Sequence, residues 1–247
     1  MGYAHPPSRG RIGAWEDGML RLALPLICLA LPTAAECRLA LALAVDVSRS
    51  IDETDYAIQT EGLARALEDP EIRRLIFGPD GDVALSIYYW SGRGYQDLVQ
   101  PWVILETEAE LDAAVERVRL TLRPEAPLAT ALGDALSYGG ALLYDAPDCE
   151  RKVLDVAGDG RNNEGITVAR TYEREDFTGI TVNALAVGEH EADLVEYFLT
   201  ELIRGPGAFV EIAPEQKDYP EAIYRKLLRE LQIPVIGALP VEYPDRG

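Results

Sequence analysis

The sequence predicts a doubly wound α/β fold: a mostly parallel six-stranded sheet with one antiparallel edge strand and helices on both faces. Three observations predict it. Short apolar runs bounded by turn residues alternate with longer stretches of helical spacing. Two of those runs, 39–45 and 153–157, have the continuous apolar character of a buried strand, and each leads into an aspartate, Asp46 or Asp159. A third run, 97–105, carries Pro101, which lacks the N–H that a central strand needs and so favours an edge.

Each element has its own local reason. After the first strand, Asp52-Glu53-Thr54-Asp55 opens a helix with acidic residues at its positive end, and Tyr56, Ile58, Leu63, Ala66 and Leu67 supply its apolar positions. Pro70 separates that helix from a short helical piece at 71–77, and Gly78-Pro79-Asp80-Gly81 is a turn by composition. Residues 83–90 form the second strand, which Ser91-Gly92-Arg93-Gly94 ends before 97–105 returns antiparallel. Thr107-Glu108-Ala109-Glu110 is a capping box for an amphipathic helix reaching Leu122. A proline-bearing loop at 123–128 precedes a helix at 130–143. Strand 153–157, helix 167–177, strand 181–187 and helix 193–203 follow. Gly205-Pro206-Gly207 then turns into a short strand at 208–212, and 219–231 is the last helix.

With 247 residues and 48% hydrophobic content, the chain buries one substantial core, and a single domain is expected. Its formal charge of −19 argues against nucleic acid, because phosphate contacts need clustered Lys and Arg. The acidity itself reads as solubility.

Residues 19–31 combine a short charged start with an apolar stretch too short to span a bilayer comfortably, and Pro32-Thr33-Ala34-Ala35 offers small residues for cleavage after Ala35. Residues 19–35 therefore read as a signal peptide, with a retained N-terminal anchor as the alternative. Met19 makes the better start for such a signal, so 1–18 reads as an upstream extension or mis-assigned start. The domain proper is 36–233, and 234–247, with Pro240 and Pro244, is an irregular tail. The expectation is an exported protein, periplasmic or secreted, with no stable membrane span once the signal is removed.

Cleavage leaves two cysteines, Cys37 and Cys149, each just before a predicted parallel strand and at the same end of the sheet. In an exported protein that placement reads as a disulfide; two free buried thiols are the alternative.

Asp46-Val47-Ser48-Arg49-Ser50 delivers one carboxylate and two hydroxyls to the carboxyl edge of the sheet, where doubly wound folds bind their ligands. Thr130, in Ala129-Thr130-Ala131-Leu132-Gly133, and Asp159, in Ala157-Gly158-Asp159-Gly160, supply further oxygens. Such hard donors suit Mg²⁺ or Mn²⁺ rather than Zn²⁺.

These three segments, in this order, resemble the metal-ion-dependent adhesion site (MIDAS) of von Willebrand factor type A (vWA) domains, and the resemblance covers 38–231. More narrowly, the chain resembles an uncharacterised bacterial family of exported proteins with this domain. The similar stretches are Ala44-Val45-Asp46-Val47-Ser48, Tyr89-Trp90-Ser91-Gly92, residues 155–163, Gly205-Pro206-Gly207-Ala208-Phe209 and Arg225-Lys226-Leu227-Leu228-Arg229-Glu230. The resemblance implies that Ser48 and Ser50 bind a cation through their hydroxyls and Thr130 binds it directly or through water. Asp46 and Asp159 act mainly through water. With few direct anions the ion stays electrophilic, and an Asp or Glu carboxylate from a partner protein completes its sphere. That is a non-enzymatic, adhesion-type binding module.

Arg49 stands where many vWA domains carry a small residue; bent over the site, its guanidinium repels the cation or recruits the partner carboxylate, and turned away it meets only solvent. Trp90, Ser91, Arg93 and Tyr95 form a neighbouring loop, in which Trp90, Arg93 and Tyr95 are candidate partner contacts. Core packing is the alternative for the aromatics. Asn162 and Asn163 are expected to shape the loop after Asp159, and Asp134 to contact backbone or water near Thr130 or simply to solubilise its helix.

A phosphohydrolase of the haloacid dehalogenase type shares the aspartate after the first strand and a Gly-Asp-Gly loop. It also needs an acid two residues later, where this chain has Ser48. A Ser-His-Asp hydrolase fails on inventory: of two histidines His5 lies in the upstream extension, His190 in a loop, and there is no Gly-x-Ser-x-Gly elbow. A dinucleotide site lacks its third glycine at Asn163. The remaining alternative is a structural domain with an unused metal site, against which the intact ligand set counts.

Overall fold

The computed structural model describes residues 1–3, 37–78, 81–124, 129–188 and 193–232. The chain divides into two units, Met1–Thr33 and Ala34–Gly247. Of the first unit only residues 1–3 are described, and they have no regular structure. The expected upstream extension beyond residue 3, the signal at 19–35, His190 and the tail at 234–247 lie outside the described residues.

In chain order the second unit contains β1 (Cys37–Asp46), α1 (Glu53–Glu68), α2 (Pro70–Ile76), β2 (Asp82–Trp90), β3 (Gln96–Ile104), α3 (Glu108–Leu120) and α4 (Leu132–Tyr144). It continues with β4 (Arg151–Gly158), α5 (Val168–Arg174), β5 (Ile180–Val187), α6 (Leu194–Tyr197), β6 (Val210–Ala213) and α7 (Tyr219–Leu231). The strands form one sheet in the order β3-β2-β1-β4-β5-β6. Among the described strands β3 alone runs antiparallel, at the edge where Pro101 leads the sequence to expect it. β1 pairs in parallel with both β2 and β4, so the chain changes direction of growth beside β1, and the strand ends carrying Asp46 and Asp159 meet at that switch point.

The Leu/Ala alternation along β1 sets the two layers. Leu39, Leu41, Leu43 and Val45 enter one core, with residues of α1, α2, α3 and α7. Ala40, Ala42 and Ala44 enter the other, with α4, α5 and α6. Small residues on that second face let α4 come close: a Cβ at Gly139 would lie 2.6 Å from the Tyr88 hydroxyl and 2.7 Å from Leu154. Tyr88 uses the same closeness to donate to the Ala135 carbonyl at 2.8 Å.

Helix starts follow their sequence signals. Asp52 accepts from the backbone N–H groups of Thr54 and Asp55 at 2.7 and 2.9 Å, Asp69 caps α2 ahead of Pro70, and Glu110 accepts from the Thr107 N–H at 2.8 Å. The helix expected at 193–203 differs. α6 covers four residues and widens into a π-helical turn, Phe198–Leu202, closed by Ile203 N–H to Phe198 carbonyl at 3.0 Å. Leu194, Phe198 and Leu202 are all fully buried, and a wider turn keeps this four-residue spacing facing inward where an α-helix would drift.

Cys37 and Cys149 form the expected disulfide, with Cα atoms 4.5 Å apart, joining the start of β1 to the residue region before β4. It closes the sheet at the end opposite Asp46. Among the described residues no helix is long and apolar enough to cross a membrane.

A buried charged network ties α7 to the sheet. Lys226 Nζ lies 2.8 Å from Asp155 and 2.7 Å from Glu230, and Asn183 donates to Glu230 at 2.8 Å while accepting from the Phe209 N–H at 3.1 Å. Burial, then the nearby Glu230 charge, holds the Asp155 carboxyl well above the usual carboxylate range. For Lys226, burial lowers its proton affinity, but Asp155 and Glu230 outweigh it and the net shift is upward.

Candidate metal centre

The site begins where β1 runs out. Val47 N–H donates to the Trp90 carbonyl at 2.9 Å, the last bond of the β1–β2 ladder. The chain then turns, with Ile51 N–H on the Ser48 carbonyl at 3.0 Å, before Asp52 caps α1. Within that turn Asp46 is fully buried and one of its oxygens, Oδ1, accepts from the Ser48 N–H at 2.7 Å. Its other oxygen, Oδ2, is buried without a hydrogen-bond partner.

Three hydroxyls and the second carboxylate converge on this turn. Ser50 Oγ donates to Asp159 Oδ1 at 2.7 Å, Ser48 Oγ and Ser50 Oγ lie 3.3 Å apart, and Thr130 Oγ1 donates to Ser48 Oγ at 3.3 Å. Burial first, and then the negative charge of Asp159, pushes the Asp46 carboxyl well above its ordinary range, against hydrogen bonds from Ser48 and from the Asp159 backbone. Two buried acids sharing one spot destabilise each other's charge, and a cation between them relieves it. Among the described residues no three His, Cys, Asp or Glu side chains converge. The donor set is instead two carboxylates and three hydroxyls, and an orphaned buried carboxylate oxygen beside those hydroxyls fits a hard divalent ion.

Thr130 is held by the loop after Asp159. Asn163 accepts from the Thr130 N–H at 2.8 Å, and the Thr130 carbonyl accepts from the Asn163 and Glu164 N–H groups at 2.9 and 3.2 Å. Thr130 and Ala131 therefore precede α4 rather than beginning it. Ala131 has no side chain to cap that helix, and Asn162 does so from across the site, accepting from Gly133 N–H at 2.9 Å. Asp134 accepts from Ile166 N–H at 2.8 Å, so of its expected roles the backbone contact is the one observed. That closeness requires glycine at position 165: its φ is +73°, and a Cβ there would lie 1.9 Å from Asp134.

Asp46, Ser48, Ser50, Thr130 and Asp159, predicted as a set, are thus brought together. Arg49 is exposed and lines a cleft of about 430 Å³ above them, with Ser50, Thr130, Asp159 and Asn163. The expectation for Trp90 is corrected. It is completely buried in the second core, because it is the strand residue paired with Asp46, and its ring lies against Gly158, where an added Cβ would be 3.4 Å from Trp90 and 3.3 Å from Asp46 Oδ2. Trp90 walls Asp46 from behind and is unreachable by a partner. Tyr95 is half-buried against the first core rather than standing free. Ser91 is also buried: its hydroxyl donates to the Ala129 carbonyl at 3.3 Å and its own carbonyl accepts from Ala131 N–H at 2.9 Å, bracketing Thr130. Arg93 alone of that loop's expected contacts is exposed, its backbone N–H anchored on Glu164 at 2.8 Å.

The family model described as "Protein of unknown function (DUF1194)" matches residues 36–235. The chain belongs to this family. No curated protein matches the chain at a significant level. Solved structures share the fold of this DUF1194 chain, which is that of a vWA domain. The von Willebrand factor type A protein from Catenulispora acidiphila matches with a TM-score of 0.56 and 20% identity, over 81% of this chain and 43% of its own. Proximal thread matrix protein 1 from the mussel byssus, with a zinc-occupied MIDAS motif, gives 0.57 and 12% over 79% of this chain and 48% of its own. BatB from Bacteroides thetaiotaomicron gives 0.55 and 15%, covering 78% and 98%. The chain spans just under half the length of the Catenulispora and mussel proteins.

Proposed function

We propose that this DUF1194 chain is an exported, divalent-cation-dependent protein-binding module. Asp46, Ser48, Ser50, Thr130 and Asp159 hold Mg²⁺ or Mn²⁺, and an Asp or Glu carboxylate from a partner protein completes the coordination without turnover. The observation that carries this reading is the convergence of Ser48, Ser50 and Thr130 hydroxyls on Asp159 beside the orphaned Oδ2 of Asp46. Octahedral Mg²⁺ keeps water readily, which suits a site where the carboxylates balance charge and the hydroxyls orient the ion. The cleft above leaves room for a ligand side chain. Export is supported by the Cys37–Cys149 disulfide, a bond characteristic of oxidising compartments and rare in the cytosol.

Thermal melts of residues 36–247, oxidised, in Mg²⁺, Mn²⁺, Zn²⁺ or EDTA test the reading beside an Asp46→Ala/Ser48→Ala variant. A cation at 100 times its dissociation constant adds about 2.7 kcal/mol. The expected result is a shift in the native chain that the variant lacks; a native chain indifferent to all three cations at millimolar concentration overturns it. N-terminal sequencing of the protein recovered from the cell envelope checks export, with Glu36 the expected first residue.

A further inference from the structure

Most described cations of this acidic chain are engaged: Arg119 with Glu61 and Glu68, Arg73 with Glu108, Arg225 with Glu211 and Glu221. Three exposed arginines differ: none of the guanidinium groups of Arg49, Arg93 and Arg174 makes a hydrogen bond, ion pair or ring contact among the described residues, and Arg174 ends α5. Arg49 lines the cleft over the candidate metal centre, between two hydroxyl-bearing residues, whereas Arg93 lies outside that lining, on the turn whose backbone N–H is held by Glu164.

Charge counting gives this placement a consequence. On the metal-site reading, on which this inference rests, Asp46 and Asp159 together match a divalent cation. The floor of the loaded cleft is then neutral, and the charged side chain lining its mouth is Arg49; the charge of Arg93 is offset by Glu164, which accepts from the Arg93 N–H at 2.8 Å. Against a formal charge of −19, that mouth is a local positive spot. A guanidinium with its fork unfilled is shaped for a carboxylate gripped by two parallel hydrogen bonds. The same charge beside the cation repels it. Arg49 therefore acts in opposite senses on the two ligands of the site.

The geometry points to Arg49 as the residue that selects the partner: an acidic peptide segment with two neighbouring carboxylates, one completing the cation's sphere and the other paired with the Arg49 guanidinium. A partner with a single carboxylate gains from Arg49 only a through-space attraction and none of the paired hydrogen bonds. The chain gives up some cation affinity for this selectivity.

Two measurements on the native chain, Arg49→Gln and Arg49→Lys test it. Mn²⁺ affinity is read by electron paramagnetic resonance. Fluorescence anisotropy in saturating Mg²⁺ then follows labelled Gly/Ser peptides bearing a central Asp-Asp, Asp-Asn or Asn-Asn pair. Arg49→Gln should bind Mn²⁺ about threefold more tightly, lose about tenfold on the Asp-Asp peptide and lose no more than about threefold on the Asp-Asn peptide. Arg49→Lys should keep native Mn²⁺ affinity and recover only part of the Asp-Asp binding, because its ammonium lacks the fork. Equal losses on both peptides, or no loss, overturn the role of Arg49 while leaving the metal site standing. A native chain that binds neither Mn²⁺ nor any carboxylate peptide overturns the metal reading and this inference with it.

Discussion

Ser50 Oγ donates to Asp159 Oδ1 at 2.7 Å across 109 residues of sequence. The bond joins the turn after β1 to the turn after β4, the two central parallel strands, so the site closes only when those strands are paired in register. A single hydrogen bond of this kind reports directly on whether the candidate metal centre is assembled.

Asp159→Asn keeps an oxygen to accept from Ser50 but removes one of the two charges facing each other. In EDTA the variant should be more stable than the native chain by about 1 kcal/mol, since Asp46 no longer meets a like charge. That corresponds to a rise in Tm of about 2–4 °C. Its response to Mg²⁺ or Mn²⁺ should vanish. Melting curves with and without cation read both effects, and a variant that still gains from cation removes Asp159 from the site.

Asn163→Ala releases the Thr130 N–H from its side-chain acceptor while leaving the backbone bonds to the Thr130 carbonyl. The loss of one hydrogen bond lowers stability by about 1 kcal/mol. The larger expected effect is on cation affinity, because Thr130 is positioned by this contact. Calorimetric titration with Mn²⁺ beside urea denaturation separates the two.

Lys226 is the ammonium held between Asp155 and Glu230 in the buried network. Lys226→Met leaves two carboxylates uncompensated in the core and should cost about 3–5 kcal/mol in urea denaturation. Adding Asp155→Asn and Glu230→Gln to Lys226→Met should restore most of that loss, since the remaining groups are neutral.

The pH dependence has a definite sign. Asp155 and Asp46 are both held above their unfolded value of about 3.9, each mainly by burial and then by a neighbouring carboxylate, Glu230 and Asp159 respectively. Between the unfolded and the raised folded value the native state binds more protons, so stability declines as pH rises through that window. Glu61 and Glu68, held low by hydrogen bonds from Arg119, act in the opposite sense and only at lower pH. In EDTA, Tm should therefore fall as pH rises above the unfolded carboxylate range, and Asp155→Asn should flatten the slope. A variant with the native slope assigns the dependence elsewhere.

Removing the Cys37–Cys149 bond opens a loop spanning 112 residues of sequence separation. The chain-entropy account puts the loss on the order of 4–5 kcal/mol. Cys37→Ser/Cys149→Ser should lower the urea midpoint accordingly yet keep its cation response, because the bond and the candidate metal centre lie at opposite ends of β1.

The order of elements was legible in the sequence because each depends on near neighbours. Caps such as Asp52 and Thr107, the Pro101 edge and the Leu/Ala alternation of β1 are local signals that tertiary packing reinforced. The five oxygen-bearing residues were legible for the same reason: each ends a strand or precedes a helix, and the doubly wound topology sends those ends to one edge. Tertiary structure alone decided which way side chains turn where both faces are covered. β2 is buried on both sides, so its alternation says nothing about Trp90, and only pairing with Asp46 placed that ring behind the site. The capping of Gly133 by Asn162, across 29 residues, and the meeting of Lys226 with Asp155 are likewise long-range. Local periodicity records how much of a residue is buried and on what spacing; which distant group it meets is fixed only when the strands pair and the helices close over them.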